Sequence, residues 1–382
     1  MAVVTDPAKT VLWVIPSLVG GGAERVLVNL LKNLDRAKFT PMLALFENKG
    51  AFLGQLPSDV PLIDLRKKGR WSVFGMVLRL AAFLRRSRVD LVVPFLEYAD
   101  IVTLMAVFFV HPRPRVVATF HNDPRYLIIS ERWGRIKHLL SRCLYPKADA
   151  LVAVSHGVGR GIQGLFRLPE PKIHVIHNGS DSATIRRMAK DPVEDSKFLG
   201  SFPGPVIVTV GRLDPQKNQS MLVRAFHGVS ARIDSRLIII GEGPERCNLQ
   251  RLLDELGLGD RVEFIGFTEN PFKYMARCDL FVLSSDSEGF ANVIIEAMIC
   301  GLPVISTRCT YGPDEIIDDG TNGILVPTGN AEALKAAMVR LLSDEDLRRR
   351  LSAAGQRRVR DFGTMSMTAK YESLFGRIFE QE

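Results

Sequence analysis

The chain is poor in long apolar runs. Its longest strongly apolar stretch, Ile101 to Val110, is ten residues, against about 20 for a membrane-spanning helix. The N-terminus shows no signal-peptide pattern, because the short strand-like run Val11 to Pro16 is followed at once by Gly20-Gly21-Gly22. These two absences predict a soluble or peripheral protein. Cysteine is scarce as well: five residues, at 143, 247, 278, 300 and 309, odd in number and without metal-ligand spacing. That excludes a disulfide scaffold and a structural zinc site, and predicts a reducing, cytoplasmic compartment. Low-complexity tracts and fixed-period repeats are absent, so a solenoid is excluded. The first glycine turn, Gly20-Gly21-Gly22, is neither the G-x-G-x-x-G dinucleotide fingerprint nor a P-loop, since no Gly-Lys-Ser/Thr follows, and no Asp-x-Asp pair or His/Asp cluster is placed to hold a metal.

What remains is an ordinary globular composition, 46% hydrophobic and 24% charged over 382 residues, long enough for two domains with separate cores. The net charge of +8 is unevenly spread. Residues 1–200 hold 29 Lys and Arg against 17 Asp and Glu, a net of +12, and residues 201–382 hold 21 against 25, a net of −4. A basic half suggests an anionic partner, and charge alone leaves open a membrane surface, a lipid phosphate or nucleic acid. The most basic stretch runs from Arg66-Lys67-Lys68-Gly69-Arg70-Trp71 through an apolar helix pattern to Arg85-Arg86-Ser87-Arg88. It reads either as a segment resting on an anionic membrane or as an internal helix with solvated charged ends.

Strand and helix patterns alternate along the first half. Strand-like runs are Val11–Pro16, Pro41–Phe46, Leu91–Pro94, Val116–Thr119, Leu151–Val154 and Ile173–Ile176, which predicts a doubly wound, mostly parallel α/β sheet. The pattern restarts at Val206–Val210 and continues through Leu237–Ile240, Val262–Ile265 and Leu280–Leu283. Residues 181 to 204, polar and containing Pro203-Gly204-Pro205, read as an irregular linker between two domains.

The stretch around which the second half is organised is Ser284 to Thr307. A buried strand runs into a turn rich in serine, acid and glycine, then into a helix from about Ala291 to Cys300, stopped by Gly301. Glu288 lies in the loop and Glu296 eight residues on, within the helix. Both can reach a ligand at the helix N-terminus, where backbone N–H groups and the helix dipole favour a phosphate. Upstream, Arg212 and Lys217 stand in the loop after the strand Val206–Val210, and such a basic pair can clasp a diphosphate.

In order, Glu288-Gly289-Phe290, Asn292-Val293, Glu296-Ala297 and Gly301-Leu302-Pro303-Val304 resemble the E-x7-E motif of the retaining GT-B glycosyltransferases of family 4. The resemblance covers nearly the whole chain, more closely in residues 206–328 than before 180. It implies two facing Rossmann-like domains: an acceptor-binding domain over residues 1–185, joined by a crossing helix over 364–382, and a nucleotide-sugar-binding domain over 200–363. It also implies a nucleotide diphosphate sugar as donor, with UDP favoured. Glu288 would meet donor-sugar hydroxyls, Glu296 the ribose, and Arg212 and Lys217 the diphosphate. Gly211, Phe267, Gly289, Phe290, Ala291, Asn292 and Val293 would line the donor, the loop at Phe267 holding the base. In the first domain, Gly21 and Gly22 of the Gly-Gly-Ala-Glu turn would face the diphosphate, and His121 the donor sugar. His156 shares a strand-end position with less support. The turn at His177-Asn178-Gly179-Ser180 matches the family pattern only in part.

By the same resemblance, transfer retains the anomeric configuration and needs no cofactor and no metal. Cys309-Thr310-Tyr311-Gly312-Pro313-Asp314-Glu315-Ile316 looks like the subgroup acting on polyprenyl-diphosphate-linked oligosaccharides or surface glycans. Such an acceptor would bring the enzyme to the inner face of the cytoplasmic membrane, and nucleic acid is not expected as a partner. Two other classes stay open: a GT-B sugar-nucleotide epimerase or hydrolase, and a non-catalytic basic adaptor for membrane or nucleic acid. The adaptor explains the charge but not the glutamates, the basic pair and the glycine turn together.

Overall fold

The computed structural model describes residues 7–67, 69, 72–125, 134–193 and 196–380, the side chains of 134–136 excepted. Lys68, Arg70 and Trp71 of the basic stretch lie outside the described residues. The chain forms two compact units, residues 1–179 with 364–382, and residues 180–363.

In the first unit, Lys9–Ile15 (β1), Phe39–Leu45 (β2), Leu62–Asp64 (β3), Leu91–Pro94 (β4), Arg115–Phe120 (β5), Ala150–Ala153 (β6) and Ile173–Val175 (β7) form one sheet in the order β3-β2-β1-β4-β5-β6-β7. Every pairing among them is parallel. Parallel neighbours need crossovers, and helices such as Gly22–Asn33, Val73–Arg86, Glu97–Val107 and His156–Phe166 supply them. With helices on both faces, the central strands are buried on both sides; Val11 through Ile15 are fully buried. This is why they read as uninterrupted apolar runs. The three-residue β3 escapes a sequence reading because it is short and half exposed, with no alternation to detect.

The helix Thr364–Glu380 belongs to this first unit. Its Tyr371 and Phe375 rings lie 6.0 Å from the Trp13 ring of β1, and Met367, Leu374 and Ile378 are buried in the same core. Burial of Phe375 alone stabilises by roughly 1.5–3 kcal/mol. The last seventeen-residue helix is thus a structural part of a domain that begins more than 350 residues earlier.

In the second unit, Val206–Val210 (β8), Arg236–Ile240 (β9), Val262–Gly266 (β10), Leu280–Leu283 (β11), Val304–Thr307 (β12) and Ile324–Val326 (β13) form a second parallel sheet in the order β10-β9-β8-β11-β12-β13. Its core joins β8, β9 and β11 to the helices Gln219–Ser230 and Ala331–Ser343.

Residues 181 to 204 depart from the irregular linker expected. Ser182–Met188 is a helix whose Asp181 cap accepts from the Thr184 N–H at 3.0 Å, and Ile185 is buried beneath it. One capping acid and one buried isoleucine suffice, and in seven residues they make too faint a pattern to read. Ser155 caps the helix His156–Phe166, accepting from the Val158 N–H at 3.1 Å.

Candidate functional site

Strand order in the second sheet reverses between β8 and β11, so the loops leaving their carboxyl ends diverge and open a crevice, the usual ligand position in open α/β sheets. The loop after β8 carries Arg212 and Lys217, and the loop after β11 carries Glu288. Lys217 Nζ donates to Glu288 Oε1 at 2.6 Å, and Ser285 Oγ donates to the same oxygen at 2.6 Å. Glu288 is only 6% exposed, and an unpaired carboxylate so buried would be costly. Arg212 Nε and Nη2 reach Asp214 Oδ2 at 2.7 and 2.6 Å. The Arg212 side chain is 72% exposed over an Asp214 side chain 7% exposed, so the arginine reaches outward from an anchored base.

Backbone and side chains lace the two loops together. Ser284 Oγ donates to the Lys217 carbonyl at 2.9 Å, Gln216 Nε2 to the Ser287 carbonyl at 2.7 Å, and the Asp286 N–H to the Gln216 carbonyl at 2.9 Å. Thr307 Oγ1 donates to the Ser285 carbonyl at 2.5 Å. Asp214 Oδ1 accepts from the Lys217 N–H at 3.3 Å, which holds the turn Pro215–Lys217. Gly241, at φ +140°, lets the next loop press on Gly211, where a Cβ would stand 2.0 Å from the Gly211 carbonyl oxygen. None of Ser285, Asp214, Gln216 and Thr307 was predicted as a site residue. Serine and threonine at a strand end carry no signal until the partner loop is known.

The helix after Glu288 begins at Asn292, one residue later than its pattern suggests, because Ala291 adopts a left-handed conformation (φ 60°, ψ 57°). Phe290 is buried at 2% exposure, its ring 5.5 Å from Phe362. Its side chain is therefore part of the core, and only its backbone is left for a ligand. Gly312, at φ +94°, packs on that backbone; a Cβ there would lie 2.6 Å from Phe290 Cα. Gly289, Asn292 and Val293 surround the start of the helix, and half-buried Glu296 lies within it. Burial, and then the charge of Glu296, push the Cys300 thiol up to about 12. Phe267 follows β10 and is 51% exposed.

Gly21, Gly22 and His121 belong to the first unit. Gly21 is the N-cap of the helix Gly22–Asn33 at the carboxyl end of β1, and the turn enters through Gly20 at φ +120°. His121 follows β5, stacked on Phe95 with centroids 4.4 Å apart. Thr119 Oγ1 donates to the Pro94 carbonyl at 2.8 Å, so it accepts from His121 Nε2 at 3.0 Å. Nε2 therefore carries the proton, and Nδ1 is a bare acceptor with no partner in the described protein. Burial depresses the imidazole to about 3. A neutral acceptor suits a ligand hydroxyl and not a general acid. Among the described residues, no helix is long and apolar enough to cross a membrane.

Residues 20–184 match the family described as Glycosyltransferase Family 4, and residues 194–358 match Glycosyl transferases group 1. The chain is 30% identical over 91% of its length, and 94% of the relative's, to the N-acetylgalactosamine-N,N'-diacetylbacillosaminyl-diphospho-undecaprenol 4-alpha-N-acetylgalactosaminyltransferase of Campylobacter jejuni. It is 27% identical to the N-acetyl-alpha-D-glucosaminyl L-malate synthase of Bacillus anthracis over 79% of this chain and 78% of that one. Among solved structures, Anabaena HepE in complex with UDP-glucose superposes with a TM-score of 0.80 at 23% identity, covering 96% of this chain and 99% of that chain. That likeness is one of fold.

Proposed function

Because this chain belongs to glycosyltransferase family 4, its second half being a group 1 glycosyl transferase domain, we propose that it moves a hexose or N-acetylhexosamine from a UDP-sugar to a glycan acceptor, with retention and without a metal. The observation that carries the reading is the Lys217–Glu288 clasp at the switch point, beside outward-facing Arg212. A nucleotide diphosphate brings two negative charges to a crevice with two anchored cations and a helix N-terminus. Arg212 offers a planar fork and Lys217 a point charge, both suited to phosphate oxygens.

In the proposed reaction the bond from the anomeric carbon to the β-phosphate oxygen breaks, and the acceptor oxygen bonds to the same face. The departing phosphate oxygen takes the acceptor proton. Arg212, Lys217 and the dipole of the helix from Asn292 stabilise the charge that collects on the leaving diphosphate. Glu288, fixed by Lys217 and Ser285, orients donor-sugar hydroxyls, and Glu296 holds the ribose. Gly211, Gly289, Ala291, Asn292 and Val293, with the Phe290 backbone, would line the diphosphate and sugar, and Phe267 the base. In the first domain, His121 Nδ1 offers an acceptor to a sugar hydroxyl, and the Gly21-Gly22 turn lets a ligand come close to the backbone. HepE's complex with UDP-glucose and the Campylobacter relative's diphospho-undecaprenol acceptor support the choice of donor and of a lipid-linked acceptor. A panel of nucleotide sugars, with product configuration read by NMR coupling constants, tests the reading. Transfer from a UDP-sugar with an α-configured product is expected, and a β-product from an α-donor would overturn retention.

A lipid-linked acceptor places the enzyme at the cytoplasmic face of a membrane, and one surface of the first unit favours that reading. On the helix Val73–Arg86, Phe74 (73% exposed) and Leu78 (59%) share a stripe with exposed Arg85, at i, i+4 and i+11. Arg85 Nε donates to the Phe109 carbonyl at 2.7 Å, which sets exposed Phe108 and Phe109 beside it. Aromatic and aliphatic side chains next to arginines are suited to an anionic lipid interface. Co-sedimentation with anionic vesicles should fall sharply in F74S/L78S, and equal binding of wild type to neutral and anionic vesicles would exclude the surface.

A further inference from the structure

We infer that a basic groove on the first unit, between edge strand β7 and the C-terminal helix, is a second binding site, one for a phosphate-bearing ligand. The groove has a volume of about 610 Å³, and none of its ten lining residues is Asp or Glu. Its polar lining is His156, His174, Ser366, Lys370, Ser373 and Arg377. One wall is the strand: Ile173 through Ile176 line it consecutively. Side chains alternate along a strand, so four in a row means that the backbone edge itself faces the groove. β7 is the last strand of the sheet, and its outer edge pairs with no other strand among the described residues.

The other wall is one face of the helix, since Ser366, Ala369, Lys370, Ser373 and Arg377 recur at spacings of three and four. Lys370 and Arg377 stand seven residues apart, roughly 10 Å along the axis, within joint reach of one extended anion. Arg377 Nη1 donates to Ser373 Oγ at 2.9 Å, and among the described residues neither Arg377 nor Lys370 has a carboxylate partner. Burial, and then the charge of Arg377, hold the His174 imidazole below its usual range. The Arg377 cation thus stands near a neutral imidazole, and no acid lines the groove. A phosphate would draw donors from both walls: guanidinium, ammonium, hydroxyl and imidazole. This placement is separate from the loops after β8 and β11, and the inference holds whether or not the donor reading does.

Inorganic pyrophosphate and farnesyl diphosphate serve as probes, titrated by calorimetry into full-length R212A/K217A, in which the donor clasp is disabled. Saturable binding of one ligand per chain is expected. Adding K370A/R377A should weaken it at least about tenfold, the scale of losing charge-assisted hydrogen bonds, and adding K370R/R377K should restore it. Both side chains are exposed, and a thermal melt of each variant checks that the fold is intact. Farnesyl diphosphate binding more tightly than pyrophosphate would point to a lipid-linked diphosphate, and equal affinities to the phosphate alone. Unchanged affinity in K370A/R377A, or no saturable binding in R212A/K217A, would overturn the site. Loss of transfer in R212A/K217A is read separately and tests only the donor clasp.

Discussion

The carboxyl edges of the two sheets are built on opposite principles. In the second unit, the edge is a lattice of charged and polar side chains in fixed contact: Lys217 on Glu288, Arg212 on Asp214, and Ser284, Ser285, Gln216 and Thr307 tying two loops together. In the first unit the edge is a glycine turn, a neutral histidine held by a threonine and a phenylalanine, and large apolar side chains left exposed elsewhere on the surface. A preorganised charged lattice suits one recurrent small ligand, whose diphosphate charge is always in the same place. A neutral, mostly steric edge suits a partner that differs from enzyme to enzyme. The comparison teaches where to expect each kind of failure: mutations in the second unit should cost rate, and mutations in the first should change stability, pH response or acceptor choice.

The sharpest way to break the comparison is to remove the lattice's central pair. Lys217→Ala and Glu288→Gln are each expected to lower kcat at least about 100-fold, the scale for one group that stabilises developing charge. Steady-state kinetics with thermal melts on the same samples check this. Either variant keeping wild-type kcat/KM while folded would end the donor-site assignment. Because the two side chains share one hydrogen bond, their effects should be strongly non-additive in the double mutant.

A second test addresses the first unit and should register in stability. His121 sits at about 3 in the folded chain, against about 6.5 unfolded. Above pH 6.5 both states are neutral and the residue contributes no pH dependence. Between 6.5 and 3 the unfolded chain takes a proton that the folded chain refuses, so stability falls with falling pH by up to about 1.4 kcal/mol per unit. Urea midpoints across that window should fall less steeply for His121→Gln than for wild type. Parallel curves would mean that the imidazole is solvated after all.

Both edges were legible to different degrees. The strands were visible because doubly covered parallel strands are continuous apolar runs, whereas Glu288, Lys217 and Arg212, commonplace as charged residues in strand-to-helix loops, stood out only by their resemblance to the family's motif. The lattice that fixes them was not. Ser285 matters through an oxygen of Glu288, and Asp214 through Arg212, relations that exist only once the order β8-β11 is known. The ring of Phe290 packs on Phe362, so it is the backbone of that position which a ligand could meet, a division that a motif does not show because it names a position and not its atoms. The exposure of Phe74 and Leu78 was likewise invisible, since a periodic helix shows which residues are apolar and not which of them its neighbours leave uncovered.

A smaller effect is expected at Glu296. It is half buried within its helix, at the far end of the E-x7-E spacing from the clasp. A ribose contact serves ground and transition state alike, so Glu296→Ala should weaken affinity for free UDP by about tenfold with little change in kcat. Calorimetric titration of UDP checks it, and unchanged affinity would remove the ribose role.

The smallest expected effect is none at all, and it bears on why the second unit carries so many paired charges. A transferase must neutralise a leaving diphosphate, and the two means at hand are a divalent ion or fixed protein cations. Arg212 has its side chain exposed over an anchored Asp214, and Lys217 is already poised 2.6 Å from Glu288. An arriving phosphate competes with Glu288 for Lys217 and can leave Asp214 in place beneath Arg212, so the positive charge needs little reorganisation to reach it. Transfer rates should therefore be the same in excess EDTA as in magnesium or manganese, measured at saturating donor. Loss of transfer in chelator, restored by either ion, would mean that Arg212 and Lys217 do not carry the charge by themselves. The contrast between the two sheet edges would then rest on binding alone.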